Sequence, residues 1–363
     1  MKNSGKKRTI LILLILVFLF VSISIIEYLL IANLKEKEVE NAERIAVYEA
    51  LEEENIIFAD GVSTHGRINL VDTNLVDESG NIVQLRGMSS HGLLWYPEYT
   101  SYQSILSTRE YGANSFRIAM YSDDVNGGYI QQPDISLKLM YAAIENVLAA
   151  DMYAIVDWHV LKEETPAKNT DEAIAFFEKI ASHYGNEPGI IYEICNEPNG
   201  DTTWNDIVAY ANQVIPVIRT YAPDAIILVG TPNYSYSITD VIANPLPYDN
   251  IMYSYHFYGG QYGNEYTNMI EDCRRNNIAI FVSEWGINQE QGSEAAIQQG
   301  EEFVSYLNEE KISWIAWALC NKDETFAAIK PDCTKYSHWT KEDFSTVGQV
   351  FFNSLSGQGN INE

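Results

Sequence analysis

IIYEICNEPNG, residues 190–200, sets an apolar run directly against Asn196, Glu197 and Pro198. The run of Ile, Ile, Tyr, Ile and Cys reads as a buried strand, rich in β-branched and aromatic side chains. A carboxylate at the end of such a strand is costly to desolvate unless it has chemistry to perform. Asn-Pro-Gly punctuation also ends strands for purely local reasons. The stretch alone leaves both readings open.

On either side of it a pattern repeats. Short apolar runs occur at 83–89, 115–121, 154–159, 190–196, 225–230, 252–258, 278–284 and 312–319. Between them lie segments of helical period, including 136–150, 170–183, 204–221 and 293–310, with a short weak case at 241–243. Before the first run, a polar-alternating stretch at 67–85 carries Ser79-Gly80-Asn81, which suggests a hairpin turn. Strict strand–helix alternation implies right-handed parallel crossovers. Eight units match a closed (β/α)8 TIM barrel better than an open sheet. The open sheet would want a glycine-rich phosphate turn, yet the first turn reads GMSSHGLLW and no GxGxxG or GxxxxGK[ST] occurs. One undivided α/β domain is expected at 61–357, with a short tail at 358–363.

The chain has 363 residues, 23 Lys plus Arg against 50 Asp plus Glu, and a net charge of −27. So acidic a body repels nucleic acid and anionic lipid, which favours a neutral partner or substrate. Lys2, Lys6, Lys7 and Arg8 precede an apolar run that begins at Ile10 and, past Glu27, continues to Leu34. Residues 1–34 therefore read as a signal anchor long enough to span a bilayer, a cleaved signal peptide being the alternative. The positive-inside rule places everything after it outside the cell. Residues 35–60 hold eight Glu against two Lys and one Arg, and read as a solvated helical stalk. Of the four cysteines, Cys195 reads as a buried apolar residue, while Cys320 and Cys333 flank one loop and are candidates for pairing. No CxxC spacing occurs, so a zinc site is not expected; no other metal and no cofactor is expected either.

A barrel places its active groups at the C-terminal ends of several strands. His91, Arg117, Tyr121, His159, Asn196, Glu197, His256, Tyr258, Glu284 and Trp317 all fall at such ends, and the fifth run adds nothing obvious. Each has a bland reading as a satisfied core or rim residue. Together they are hard to dismiss, because two carboxylates facing each other across a barrel mouth suit glycoside hydrolysis. One must stay protonated to expel the leaving oxygen; the other must stay ionised, for which Arg117 and Tyr258 are available donors.

At this point the motifs are recognisable. RGMSSHGLLWY, FRIAMY, DWH, IYEICNEP, HFYGG, VSEWG and WALCNKDE, in this order over residues 65–355, resemble the family-five glycoside hydrolases, and most closely their bacterial endo-β-1,4-glucanases. The resemblance implies a retaining mechanism with Glu197 as acid/base and Glu284 as nucleophile. It implies that Asn196 bonds the sugar 2-hydroxyl, that Arg117 and Tyr258 hold and ionise Glu284, and that His159 and His256 orient the site and tune Glu197. His91, Trp95, Tyr121, Tyr234, Trp317, Lys322 and Glu324 would line the sugar subsites. Tyr234, in GTPNYSYS, stands where related endoglucanases often present Trp, which leaves chain-length preference open.

The expectation is a monomeric β-glucan hydrolase, extracellular and tethered through its N-terminal segment, or secreted if that segment is cleaved. Mixed-linkage glucan, xyloglucan and (gluco)mannan are alternative polymers. A non-catalytic carbohydrate receptor is the alternative from another class, though it would predict loss of a carboxylate or of Arg117. With only a short tail after residue 357, polymer binding would fall to the cleft, favouring soluble or amorphous chains.

Overall fold

A computed structural model describes residues 60–356, apart from 186, 262, 264 and 289–292. The signal anchor at 1–34, the stalk through residue 59 and the tail at 358–363 lie outside the described residues. No helix among the described residues is long and apolar enough to cross a membrane.

Ten strands are present among the described residues. β1 (Asn69–Val71) and β2 (Asn74–Val76) form an antiparallel hairpin. β3 (Arg86–Ser90), β4 (Ser115–Tyr121), β5 (Tyr153–His159), β6 (Ile190–Glu193), β7 (Ile227–Val229), β8 (Ile251–Gly259), β9 (Ile280–Ile287) and β10 (Trp314–Leu319) form a closed parallel barrel, in which β10 pairs with both β9 and β3. The expected TIM barrel is therefore present. The principal helices are α1 (Tyr102–Glu110), α2 (Pro133–Ala149), α3 (Thr170–Tyr184), α4 (Trp204–Tyr221), α5 (Tyr266–Arg275), α6 (Ser293–Glu309) and α7 (Thr346–Leu355). Every residue of β4, β5, β6, β9 and β10 is buried, because a strand in this architecture has a packed lumen on one face and helices on the other.

The barrel floor is closed by the hairpin. Ile68, Leu75 and Val83 pack in one apolar cluster with Tyr153, Ile155, Ile191, Leu228 and Phe281 from the strands and Ile226 just ahead of β7. Two turns build this plug. Asp72-Thr73 joins β1 to β2, with Asp72 at φ 54°, and Gly80 at φ 83° turns the chain so that Ile82 bridges back to Val76. The second is the turn expected at Ser79-Gly80-Asn81. The first has no glycine to announce it; aspartate is among the few residues that enter the left-handed region readily.

Strand ends moved in physically intelligible ways. The Val83 amide donates to Leu75 in the plug, so the first barrel strand begins only at Arg86 rather than at 83. The run expected at 190–196 leaves the regular ladder after Glu193, although Asn196 and Glu197 still donate their amides to the Trp158 and Val160 carbonyls at 3.3 and 3.1 Å. Helix α4 coincides with its expected bounds because Thr203 and Asp206 form a reciprocal cap ahead of an amphipathic segment. Cys320 and Cys333 are both free thiols, so the candidate pairing is not made. The Cys333 Sγ instead lies near the Lys335 carbonyl and Asp343.

Candidate active site

Pro198 bars the α region for Glu197, and Asn199 then pins the turn. Its side-chain amide donates to the Leu161 and Glu197 carbonyls, both at 2.8 Å, and its backbone amide to that of Glu164. From below, Gly230 brings its backbone so close that a Cβ would sit 2.2 Å from the Cys195 carbonyl oxygen. Ser235 donates to the Asn196 carbonyl at 2.6 Å. The fifth strand's loop, from which nothing was expected, thus supports the Asn196-Glu197 turn. The loop also carries Tyr234, whose amide donates to the Pro198 carbonyl at 3.0 Å and whose ring is 44 % exposed.

Glu197 and Glu284 face each other across the barrel mouth. Glu197, His256 and Glu284 present atoms that all lie within 4.8 Å of one another. The two carboxyls have different neighbours. Glu284 accepts from Arg117 Nη1 at 3.2 Å and from the Tyr258 hydroxyl, one donor on each oxygen. Glu197 Oε1 meets a single side-chain partner, His256 Nδ1, at 2.8 Å. Burial raises both: Glu197 to about 8, with Arg117 pulling down and Asp157 and Glu193 pushing up, and Glu284 to about 7, held back by His256, Arg117 and Tyr258. With a donor on each oxygen, Glu284 is the carboxyl better placed to be ionised. Such a trio is also a conceivable cation ligand set, but these hydrogen bonds already account for its close oxygens.

Arg117 is fully buried and is the hub of the site. Its Nε donates to Glu193 Oε2 at 2.6 Å, its Nη2 to Asn196 Oδ1 at 2.6 Å, and Asp157 Oδ2 lies 3.0 Å from Nη2. Burial works against its charge, and the three carboxylates more than compensate, so its pKa is raised. The Asn196 amide hydrogens face the Val160 carbonyl at 3.2 Å and His159 Nε2 at 3.3 Å. His159 Nδ1 pairs with Asp157 Oδ2 at 2.6 Å. Burial drives His159 well below the ordinary histidine range, and raises Asp157 to about 7 against the pull of Arg117.

The two histidines expected to act together on Glu197 have separate partners: His256 meets Glu197, while His159 is held by Asp157 and Asn196. Arg117 and Tyr258 both reach Glu284, as anticipated. An aromatic wall stands beside them. Trp317 stacks on His159 with ring centroids 5.2 Å apart, His91 lies 5.3 Å from Trp317, and Tyr121 lies 4.6 Å from Trp95. Glu324 sits 3.4 Å from His91 Nε2 and 2.5 Å from Lys322 Nζ. Those two contacts lower its pKa although burial would raise it. Tyr234 is the one expected subsite residue that stands on the other side, over the Pro198 turn.

Asp157, Glu193, Ser254 and Ser283 were not anticipated. All four are buried, Asp157, Ser254 and Ser283 in the interior of strands and Glu193 as the last residue of β6, within the very run IIYEIC. The available signal was a polar residue where an all-apolar strand was expected, as in IIYEIC and IFVSEW.

The cellulase (glycosyl hydrolase family 5) model matches residues 76–323. An endoglucanase of Clostridium saccharobutylicum is 38% identical over 301 residues, covering 82% of this chain and 67% of its own. Endoglucanase A of Butyrivibrio fibrisolvens is 40% identical over 298 residues, covering 80% and 69%. Among solved structures, the catalytic domain of a Thermobifida fusca endoglucanase in complex with cellotetraose superposes with a TM-score of 0.76 at 32% identity, over 81% of this chain and 98% of that one. On the strength of the family match and these relatives, this chain belongs to glycosyl hydrolase family 5, the cellulases.

Proposed function

We propose that the protein is an endo-β-1,4-glucanase that cleaves internal bonds of β-glucans with retention of configuration. The observation that carries the reading is the approach of Glu197 and Glu284 to within 4.8 Å, with unequal sets of donors. That spacing suits a carboxylate attacking the anomeric carbon directly; an inverting pair stands about 6.5–9.5 Å apart to admit a water. Glu284, held by Arg117 and Tyr258, attacks and forms the glycosyl-enzyme. Glu197 protonates the departing oxygen, then takes a proton from the water that hydrolyses the intermediate.

Asn196 turns the amide hydrogen now facing His159 toward the sugar 2-hydroxyl, a bond that strengthens as positive charge develops on the ring. Trp95, Trp317, Tyr121 and Tyr234 offer apolar faces to pyranose rings, and His91, Lys322 and Glu324 offer polar contacts. Residues 1–34 would tether the enzyme outside the cell.

The test follows viscosity and reducing ends on β-glucan, carboxymethylcellulose, xyloglucan and mannan, for the wild type beside Glu284→Gln. Rapid viscosity loss on a glucan, abolished by the substitution, is expected. Hydrolysis confined to mannan or xyloglucan would reassign the polymer. Binding without hydrolysis of any of them, equal in both proteins, would replace the enzyme with a receptor.

A further inference from the structure

Glu193 has no place in the two-carboxylate mechanism, yet it is fully buried at the centre of the barrel. Its Oε2 accepts from Arg117 Nε, and its Oε1 lies 2.6 Å from Ser283 Oγ and 2.9 Å from Ser254 Oγ. Ser283 Oγ is in turn 3.0 Å from His256 Nε2, and His256 Nδ1 is 2.8 Å from Glu197 Oε1. An unbroken chain of hydrogen bonds thus joins Glu193 to the candidate proton donor.

The direction of that chain follows from donor counting. A carboxylate only accepts, so the Ser283 hydroxyl proton goes to Glu193, its shortest contact. With its one proton committed, the Ser283 oxygen must accept from His256, which puts a hydrogen on Nε2. A neutral imidazole protonated there has a bare Nδ1. A bare nitrogen 2.8 Å from Glu197 is attractive only when the carboxyl carries the proton; an ionised Glu197 would face a lone pair. The doubly protonated imidazole is disfavoured by burial and by Arg117, against the pull of Glu284 and Glu193, with His256 lowered to about 4. Glu284 Oε1 approaches Nδ1 no closer than 4.0 Å and is taken by the Tyr258 hydroxyl.

We propose that Glu193, acting through Ser283, fixes His256 as the Nε2–H tautomer and thereby holds the transferable proton on Glu197. Glu193 and Ser283 are positioning residues: neither touches the sugar. The proposal rests on the reading of Glu197 as acid. It explains why a buried acid and two serines interrupt apolar strands, and why the acid needs no charged partner of its own.

Ser283→Ala frees His256 to place its proton on Nδ1 and donate to ionised Glu197. With an aryl cellobioside whose leaving group needs protonation, the basic limb of the kcat/KM profile should then fall by about one pH unit. Ser283→Thr, which keeps the hydroxyl, should restore it. A basic limb unchanged in an active Ser283→Ala protein overturns the proposal. A second measurement needs neither variant nor turnover: histidine-ring ¹⁵N spectra of the detergent-solubilised full chain, with His256 assigned by loss of its signals in His256→Asn. Nε2–H at neutral pH is expected, and Nδ1–H overturns the proposal even if Ser283→Ala fails to fold. A protein that shows Nε2–H but hydrolyses no glycan sinks the hydrolase reading and leaves the tautomer assignment standing.

Discussion

Glu284 carries one donor on each carboxyl oxygen, and the consequence is measurable. Tyr258→Phe leaves Oε1 without its hydroxyl donor, so the Glu284 pKa rises further. The acid limb of kcat/KM should move to higher pH, and kcat should fall about 10²-fold, as for loss of one preorganised donor. Glu197 gives a stability prediction of opposite emphasis. Its folded pKa, about 8, lies above that of an unfolded carboxyl, so the folded protein grips the proton. That stabilisation is complete well below pH 4 and is lost as pH rises through 8. Glu197→Gln should therefore unfold about 2–5 °C above the wild type at pH 9 in thermal scans, with the gap closing toward pH 4. At this scale the two glutamates were legible because each terminates an apolar run. Asp157 and Glu193 were not, because in a parallel barrel buried on both faces no alternation tells a lumen-facing residue from its neighbours.

At the level of elements, the Asn196-Glu197 turn depends on Gly230 having no side chain. A Cβ there would stand 2.2 Å from the Cys195 carbonyl and 2.8 Å from that of Asn196, neither of which is a flexible tip. Gly230→Ala should cost about 1–3 kcal/mol by urea unfolding and should depress kcat, since the turn it displaces carries Glu197. Loss of stability with full kcat would mean that the turn moves as a rigid unit. Strand order and helix α4 could be read from period and capping alone. The end of β6 could not: the sequence stays apolar through Cys195, while the chain already bends at Ile194. The Asp72-Thr73 turn escaped for a related reason, a left-handed residue without glycine.

Over the whole molecule, the two carboxyls bracket the working range. A retaining enzyme needs Glu284 ionised and Glu197 protonated, so kcat/KM on a neutral glucan should be bell-shaped, with its maximum between about pH 7 and 8. A kcat/KM that rises with pH to a plateau, with no basic limb, would refute the assignment of the pair. The apolar segment before the stalk gives a second expectation: activity should sediment with membranes, and full release into the medium would indicate a cleaved leader. The barrel was legible from eight apolar runs, whereas its floor was not, because the plug strands are only three residues each.

Arg117 is one guanidinium shared by Asp157, Glu193 and Glu284, inside a chain of net charge −27. One cation cannot neutralise that many acids, so the cleft floor confronts an arriving polymer with a negative potential. A polyanionic glycan must approach against that potential, and dissolved salt screens it, with a Debye length of about 30 Å at 0.01 M and about 8 Å at 0.15 M. The turnover of carboxymethylcellulose should therefore climb with ionic strength while that of uncharged hydroxyethylcellulose stays flat. For this enzyme, an activity quoted on a charged cellulose derivative describes the buffer as much as the catalyst.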